Sequence, residues 1–595
     1  MPNDRITYFE CTYELINNTA MTEAVFSSTS GKSFSNISDL VDEPVSYNYM
    51  TLEHNYSILD GSLEEFPNSF TTPFFSEEMS DINGDFTNNP IITVTFARPQ
   101  NFYGLTFNFE DEYPKEMVIE LRNDQGTKQI LTFNPDKLKY IATMEALQIV
   151  SVTITFTKMF SSRYVKLIGM IFGQTVVWGE NEINNGKLLL QNDFISDKIS
   201  INTLEFKVVD KDSSYNLANS TGLHNYLQKK QEAYAYEYVN DEMIFLGKYF
   251  LNSFTWDTNL VKLNCVSYIG LLDDVQYLEG DIYNGTLAGT ILEDIFRVAG
   301  IDEYLIDTDT YNTPVYGTIK PGTCRNALRE ILFACNSTAG TTTDDGIVIY
   351  KTYNYILDTV YRSNKFSTKI TKNDYVYGVE FQYSTYNLIT DSWEQIVDKE
   401  EYLAGEHTVI FNEPYANVSI LYETGTGIAI RYIPVAQQTA KTYYCTFTLP
   451  EDATIIVQGQ KYEEYVLAVN VTNDYIEAGE SETYKTYKST LCNVAMATDK
   501  AKTILDYLQF RLTLTIRALA NDIEIDGRRW IENPNRDYAD FISWYTTRNF
   551  DLTGGFIDNA KLVGYYYNDY GYYYGRNKEE NIDIELYAGE SVGNI

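Results

Sequence analysis

Three histidines are the first residues of this sequence that could take part in chemistry: His54, His224 and His407. Each stands apart in the chain from the other two and from the cysteines, and none has an HExxH pattern or the spacing of zinc ligands. A histidine-based catalytic triad or a zinc site needs at least one histidine with such partners. We therefore predict structural roles for all three.

One GxSxG string is present, Gly589-Glu-Ser-Val-Gly593. In hydrolases this string forms a nucleophile elbow, which is followed by a helix and then by the acid and the histidine of the triad. Only Asn594 and Ile595 follow it here, so we interpret it as a chance match. No GxGxxG or GxxxxGKS/T string follows a predicted strand, and nucleotide binding has no support.

Two adjacent carboxylate pairs, Glu400-Glu401 and Asp344-Asp345, are candidates for the catalytic pair of a glycosidase. Neighbouring residues of a strand point to opposite faces, so neither pair would converge on one glycosidic bond. We interpret both pairs as solvated surface charge.

A third group of oxygen ligands, Asp81, Asn83 and Asp85, resembles the first half of a calcium loop. The sixth loop position is Phe86 where an EF-hand has glycine, and the twelfth is Ile92 where it has glutamate. A polar turn is the favoured interpretation, and a calcium site of another kind is the alternative. We thus predict no catalytic, cofactor-binding or metal-binding residue, and a protein that is not an enzyme.

The charge of the chain limits its partners. With 45 basic and 83 acidic residues, the formal net charge is −38. Such a surface repels nucleic acid and anionic membranes at ordinary salt. An acidic wall would also let DNA slide past without holding it, although general solubility is the simpler explanation of the same charge.

The six cysteines lie far apart in the sequence, and no pair has CxxC spacing. Free, buried thiols in a chain made in a reducing compartment are favoured over a disulfide framework. The N-terminus has no apolar signal region and no stretch approaches 18 apolar residues, so we expect neither a signal peptide nor a membrane span. The cysteines are Cys11, Cys265, Cys324, Cys335, Cys445 and Cys492.

Composition and periodicity both predict a multidomain, β-rich (α+β) fold. The 51 tyrosines and 31 phenylalanines favour half-buried strands. Alternating runs such as 91–96, 103–109 and 152–156, separated by turn signals, are typical of a β-sandwich or jelly roll. The predicted regions are an extended N-terminal segment (1–39), the sandwich or jelly roll (40–178), a second β set (184–275), a small α/β module (276–352), further strands (366–490), and a helix with a C-terminal β region (493–595).

Helical periodicity is confined to three stretches. One includes Ile291 and Ile295 and ends at Gly300, and the second begins with Thr323 as N-cap. The third runs from about 493 to 510.

The Tyr-rich stretch at 565–574 could stack on sugar rings or line a β interface between subunits, and we favour the interface.

Five segments resemble the tail or baseplate proteins encoded by phages and prophages of Gram-positive bacteria. The order of the segments along the chain carries this resemblance, since no single motif is diagnostic. The segments are 49–62, 76–86, 200–206, 321–330 and 550–557.

The resemblance implies that residues from about 184 onward form the hub that ends a tail tube. Such hubs have two β-barrels, here expected at 184–275 and 366–490, with small α/β modules. A homotrimer is implied, whose six barrels form a pseudo-sixfold ring. Residues 40–178 resemble a galactose-binding-type jelly roll, a fold that serves either to bind carbohydrate or as a spacer.

The implied partners are the tail tube protein, a central spike or tip protein and other baseplate proteins. DNA would pass through the lumen without specific binding. The chain would be made in the host cytoplasm and located in the virion tail or in a tailocin particle. The hub part of this family has no catalytic residues to carry over.

The favoured function is therefore a structural hub that adapts a sixfold tube to a threefold tip. The alternative is a tail protein that binds a receptor or cell-wall carbohydrate, including host cell-wall glycan, through the jelly roll. A wall-degrading enzyme is a third hypothesis, which lacks a supporting histidine, cysteine or paired-carboxylate constellation.

Overall fold

The computed structural model shows several packed β-sheets and a smaller helical component, which confirms the predicted multidomain β-rich fold. Among the described residues, no helix is long and apolar enough to cross a bilayer. The structure describes residues 5–42, 51, 53, 73–211, 213–219, 222–340, 346–351, 356–361, 364–374, 376–423, 431–434, 438–472, 483–508, 512–525, 528–532, 540–567 and 573–574.

The N-terminal third of the chain is built mainly from strands. In chain order its elements are β1 (Thr7–Ile16), α1 (Asn18–Glu23), β2 (Val25–Ser27), a 3₁₀-helix (Ile37–Val41), β3 (Phe74–Phe75), β4 (Ile91–Phe109), β5 (Glu116–Asn123), β6 (Lys128–Phe133), β7 (Lys139–Lys158), β8 (Lys166–Ile171) and β9 (Gly173–Trp178).

Strands β4 and β7 are long and irregular in register, and they generate a two-layer sandwich. The start of β4 pairs with the end of β7, and the end of β4 pairs with the start of β7. Strands β2, β5 and β6 extend the first of these pairings, and β3 and β8 extend the second. One hydrophobic core fills the space between the layers. The predicted strands 91–96 and 103–109 are thus the two halves of β4.

The predicted extended segment at 1–39 is wrong for residues 7–16. These residues form β1, which pairs with β9 and with a later strand of the large sheet described below. Phe9, Cys11, Tyr13 and Leu15 are buried on one face of β1, and the residues between them are only partly buried. The alternation that marks a strand was therefore present in the sequence.

The middle of the chain continues with strands and then forms a small α/β module. Its elements are β10 (Ile183–Gln191), β11 (Thr203–Val209), a 3₁₀-helix (Leu223–Tyr226), β12 (Glu232–Val239), β13 (Glu242–Asp257), β14 (Leu260–Val266), α2 (Tyr268–Leu271), β15 (Gln276–Tyr277), β16 (Ile282–Leu287), α3 (Ala288–Ala299), β17 (Tyr304–Ile306), α4 (Thr308–Tyr311), β18 (Pro314–Thr318), β19 (Gly322–Thr323), α5 (Cys324–Cys335), β20 (Ser337–Gly340) and β21 (Ile347–Lys351).

Both helix boundaries predicted in this module are confirmed. Helix α3 ends at Gly300, whose φ of 67° is left-handed and suits a glycine. Helix α5 begins after Thr323, whose side chain accepts a hydrogen bond from the backbone N–H of Asn326 at 3.2 Å. Buried residues of both helices belong to one hydrophobic cluster.

The remainder of the chain contains one more α-helix among the described residues, as predicted, and many strands. The elements are β22 (Ile356–Val360), β23 (Lys365–Lys372), β24 (Gly378–Leu388), β25 (Glu394–Tyr402), β26 (Gly405–Ile410), β27 (Tyr415–Glu423), β28 (Arg431–Tyr432), β29 (Gln438–Ala440), β30 (Tyr444–Leu449), β31 (Ala453–Thr472), β32 (Tyr484–Ser489), α6 (Val494–Leu508), β33 (Leu512–Leu519), β34 (Arg528–Ile531), β35 (Phe541–Asp551), β36 (Ile557–Tyr567) and β37 (Tyr573–Tyr574).

One 14-stranded sheet joins distant parts of the chain. Its main path runs β23-β33-β36-β35-β10-β11-β14-β13-β12-β1-β9. The C-terminal half meets the N-terminal half where β10 pairs with β35, from Lys187 opposite Asp551 to Gln191 opposite Thr547. A single hydrophobic cluster covers the inner face of both halves, so they form one packed body.

The further strands predicted at 366–490 are divided between sheets in the structure. Strand β23 belongs to the C-terminal half of the large sheet, together with β33–β36. Strands β24–β32 form separate sheets, part of which has a core of its own. Alternation identifies strands but not their partners, so the division of this range between sheets was not predictable from it.

Candidate functional site

The meeting point of the two halves of the large sheet contains a cluster of charges, the buried Arg548 and Asp558 and the partly exposed Asp522, named here the Arg548 cluster. Arg548 lies within the β10-paired stretch of β35, opposite Leu190, and Asp558 lies on the neighbouring strand β36. The side chains of Arg548 and Asp558 are each 3% exposed. A charge buried to this extent requires close partners, because transfer from water to a protein interior is costly.

Every polar contact described for Arg548 is with a carboxylate or a carbonyl oxygen. Its Nε donates to Asp558 Oδ2 at 2.7 Å, and its Nη1 donates to Asp522 Oδ1 at 2.6 Å and to the carbonyl oxygen of Glu524 at 2.7 Å. Its guanidinium lies 4.5 Å from the ring centre of Tyr545. Burial lowers the pKa of Arg548, but the two carboxylates raise it, and the net direction is upward. The cation is therefore permanent.

The segment before β1 reaches the same region through Arg5. The Arg5 guanidinium donates to the Asn521 side-chain oxygen at 2.9 Å and to the carbonyl oxygen of Ala520. Glu237 on β12 is fully buried, and neither of its carboxylate oxygens has a hydrogen-bond partner among the described residues. Burial raises the pKa of Glu237 to about 8, although Arg5 opposes this shift. Glu237 is thus mainly protonated at neutral pH.

Lys500 is a second buried cation, located where α6 meets α5 and the segment after β10. The residue is 1% exposed. Its Nζ donates to the carbonyl oxygen of Ile195 at 2.8 Å and lies 4.4 Å from the ring centre of Phe333. No carboxylate forms an ion pair with it among the described residues. Burial lowers the pKa of Lys500 to about 7.

A third buried cation, Lys166 on β8, lies in the N-terminal sandwich. Its Nζ is 2.6 Å from Glu53 Oε2 and 3.1 Å from Asp111 Oδ2. Glu53 also accepts a hydrogen bond from the backbone N–H of Tyr164 at 2.9 Å. Because Glu53 is distant in sequence from β8, this cluster holds Glu53 against the sandwich.

The described clefts of the chain contain mutually paired groups. One of these clefts, of about 390 Å³, is lined by Lys320, Arg329 and Lys488 together with acidic residues. Lys320 already forms an ion pair with Glu464 at 2.8 Å. A cleft of about 110 Å³ beside the Arg548 cluster is smaller than usual small-molecule sites.

The structure does not bring the three histidines together. His407 on β26 contacts the carbonyl oxygen of Leu403 through Nε2 at 2.7 Å, and its ring packs against Tyr402 and Phe447. His224 lies in the 3₁₀-helix at Leu223–Tyr226. His54 lies outside the described residues.

Of the carboxylate candidates, Glu400 and Glu401 are exposed on β25, and Glu400 accepts a hydrogen bond from Tyr402 at 3.0 Å. Asp81 forms a polar turn, in which its Oδ1 accepts the backbone N–H groups of Asn83 and Asp85 at 2.7 and 2.9 Å. These bonds help lower the pKa of Asp81, the bond from Asp85 most. The pairs at 344–345 and the GxSxG string at 589–593 lie outside the described residues.

All six cysteines are free and buried, as predicted. Burial raises the pKa of the Cys335 thiol to about 12, which makes the reactive thiolate scarce at neutral pH. Within the described part of the chain, no group of three or more His, Cys, Asp or Glu side chains could hold a metal ion.

The Tyr-rich stretch is only partly described. Tyr565 is 2% exposed and packs with Trp544, and Tyr566 packs on Phe541. These two tyrosines therefore contribute to the packing of the sheet. Residues 568–572 lie outside the described part, so the proposed interface role stays a prediction.

The buried charges were missed in the sequence, although two signals were available. Lys500 falls on the apolar stripe of α6, three residues after the buried Ala497 and four before the buried Ile504. Glu237 takes an inward position in the alternation of β12, two residues after the buried Ala235. A charge at a core position of a periodic segment is therefore a detectable signal.

No protein-family model matches the sequence, and no curated protein matches it. Several solved structures are similar in part. A tail protein from Neisseria meningitidis MC58 is 12% identical with a TM-score of 0.38, over 64% of this chain and 92% of that one. The MuSo2 prophage 43 kDa tail protein from Shewanella oneidensis is 10% identical with a TM-score of 0.37, over 64% and 93%.

A carbohydrate-binding module of family 32 from C. perfringens, solved with galactose, is 11% identical with a TM-score of 0.17, over 28% of this chain and 99% of that one. All three TM-scores are below 0.5, so these similarities do not establish a common fold.

Proposed function

We propose that this chain is a structural protein of a phage tail or phage-like particle, and that it forms the hub ending the tail tube. The observation that carries this proposal is the single large sheet, whose two halves are hydrogen-bonded through β10 and β35 and share one core. Backbone hydrogen bonds and the shared core hold the two halves of the sheet together as one body. Rigidity of this kind suits a component of a particle that must transmit force.

The buried charges support the same interpretation. The Arg548 cluster ties β35 and β36 to the segment after β33, and Lys500 ties α6 to the segment after β10. Each contact fixes segments that are distant in sequence. We propose no catalytic activity for the chain.

We further propose a homotrimer. Three copies, each with two sheet halves, would present a pseudo-sixfold ring to the tube and threefold symmetry to a central spike or tip protein. The tail tube protein and other baseplate proteins would be its further partners. With a net charge of −38, the ring would let DNA pass without specific binding. Its location would be the virion tail or a tailocin baseplate.

The test is the solution mass of the purified chain, combined with negative-stain images of the chain and of tail particles. The expected result is a mass three times 68.3 kDa and a ring with a central hole. A compact monomer that also forms no ring on tail tubes would refute the proposal.

A second candidate function is carbohydrate binding by the N-terminal sandwich. The sandwich has its own core, and its turn at 81–85 exposes Ile82 at 81% next to the Asp81 carboxylate. Retention of the full chain on host cell-wall glycans, and its loss with Ile82→Ser, is the expected result. Equal retention of the variant would argue against this turn as the binding site.

A further inference from the structure

The outer face of the large sheet is the face that points away from the shared core. This face is basic in the C-terminal half of the sheet, on strands β23, β33, β36 and β35. Register places Lys369 of β23 and Lys561 of β36 on either side of Thr515, and Arg517 lies two residues further along β33. Lys369, Arg517 and Lys561 are all exposed. They are named here the basic face.

One carboxylate lies on the same face at the end of β35, where register places Asp551 opposite Ile557, four residues from Lys561. Most other outward neighbours carry hydroxyl or amide side chains, and the Arg517 guanidinium lies 5.7 Å from the ring centre of the exposed Phe366. No ion pair with the three cations is found in the described part of the chain. In a chain of net charge −38, three exposed cations without a described ion pair are unusual. The outward neighbours with hydroxyl or amide side chains are Ser367, Thr371, Thr513, Thr515, Thr547, Asn549 and Asn559.

The opposite end of the same outer face is aromatic and acidic. Register places Tyr8 beside Tyr238, and Glu10 beside Tyr236, which in turn is paired with Phe245. The rings of Tyr8 and Tyr238 are stacked with centres 4.5 Å apart. These five residues are named here the aromatic face.

The aromatic face is accessible at the adjoining β12–β13 hairpin. Met243, which is paired with Tyr238, is 59% exposed, and the hairpin residues Asp241 and Glu242 are exposed as well. Between the two ends, the outer face carries both signs of charge, with Lys262 of β14 2.8 Å from Glu205 of β11. The separation of charge is therefore confined to the ends of the sheet.

We propose that the basic face of one copy binds the aromatic face of a second copy, head to tail; this rests on the proposed hub function and names its subunit interface. Lysine and arginine bind both carboxylates and the faces of aromatic rings, so the two surfaces are complementary in chemistry. Because the surfaces differ, the contact is heterologous, and repetition of the contact closes a ring when the rotation allows it.

Charge reversal of the full-length chain tests this pairing. The basic-face variant carries Lys369→Glu, Arg517→Glu and Lys561→Glu. The second variant, called the aromatic-face variant, carries Glu10→Lys on the aromatic face and Asp241→Lys and Glu242→Lys on the adjoining hairpin. Each should raise the dissociation constant for self-association about tenfold or more, measured by sedimentation at several protein concentrations. The variant that carries all six substitutions should return to about the wild-type dissociation constant.

A matched control places the same charge change on the sandwich, with Arg122→Glu, Lys128→Glu and Lys137→Glu, which are exposed there. Its self-association should equal that of the wild type. Thermal melts establish that each variant is folded, and glutamine versions of the basic-face changes serve if a reversal variant unfolds.

Several results would overturn the pairing. One is wild-type self-association in both variants that carry three substitutions, or weakened self-association in only one of them. Another is self-association that stays weak in the variant with all six substitutions. The last is a wild-type chain that is monomeric at all concentrations. If one of these results is obtained but tail particles still show rings, the pairing is refuted and the hub function stands. Absence of rings on the particles would refute the hub function itself.

Discussion

Arg548 and Lys500 are both buried cations at contacts between distant segments, but their surroundings differ. Arg548 contacts two carboxylates and a carbonyl oxygen, and the net direction of its pKa is upward. Lys500 contacts a carbonyl oxygen and an aromatic ring, and burial lowers its pKa to about 7. The first is a cation held by two carboxylates, and the second is an amine that is only partly protonated at neutral pH.

The difference shows that burial alone does not decide what a charge does for stability. When the partners of a buried ion are in place, removing one of them leaves the others without compensation. When partners are missing, the group releases its proton instead, and folding becomes dependent on pH. The two regions should therefore respond to substitution in different ways.

The largest effect is expected for Arg548→Met. The Asp558 carboxylate, 3% exposed, would lose its described cation, and the free energy of unfolding should fall by about 3–5 kcal/mol. Urea unfolding followed by tryptophan fluorescence measures this change. Lys137→Met, an exposed cation in the sandwich, is the control and should change stability by less than about 0.5 kcal/mol. Equal stability of the two variants would show that the cluster is not needed.

Lys500→Met should change how the free energy of unfolding depends on pH. The unfolded lysine holds its proton up to its usual pKa of 10.5, whereas the folded one releases it near 7. Between pH 7 and pH 10.5 the unfolded state binds more protons than the folded state, so the free energy of unfolding of the wild type rises with pH. Compared with that of Lys500→Met, it should rise by about 1.4 kcal/mol per pH unit. Unfolding free energies at pH 7, 8 and 9 test this. Lys502→Met, exposed on the same helix, should keep the wild-type slope, and an identical slope in Lys500→Met would contradict the assignment.

Glu237→Gln should give a smaller effect of opposite sign. The folded pKa of Glu237 is raised to about 8 from 4.5, so its contribution to stability is complete below pH 4.5 and is lost as the pH rises through 8. The glutamine variant lacks this loss and should be more stable than the wild type at pH 8 by roughly 2 kcal/mol. Thermal unfolding at pH 5 and pH 8 is the measurement. Glu451→Gln, an exposed change, should leave the difference between the two pH values as in the wild type.

The smallest effect is expected for Lys262→Met. Lys262 and Glu205 form a half-exposed ion pair at 2.8 Å on the outer face of the sheet. Such pairs contribute about 0–1 kcal/mol, and salt weakens them further. Urea unfolding at low and high salt measures the change. A loss as large as that of Arg548→Met would remove the distinction between buried and exposed cations.

Local structure was largely predictable from the sequence. The helix boundaries at Gly300 and Thr323 depend on one left-handed residue and one side-chain cap, and both signals act within a single turn. The strands within 91–109 and 152–156 were predictable because alternation depends only on neighbouring residues. The free, buried state of the cysteines followed from their spacing and apolar neighbours.

The partners of these elements were not predictable in the same way. Strand β1 pairs with β9 and β12, and β10 pairs with β35, more than 350 residues later in the chain. The candidate site has the same character, since Arg548 meets Asp522 and Asp558 only after β33, β35 and β36 have assembled.

The sequence by itself determined the β-rich class of this protein, most of its strands, its helix ends and its overall negative charge. Only the tertiary structure decided that two distant sets of strands form one sheet, that charges are buried where the segments meet, and that the ends of the outer face differ in charge. The physical reason is that periodicity and capping are local properties of the chain. Strand pairing and the desolvation of charges depend instead on contacts between residues far apart in sequence.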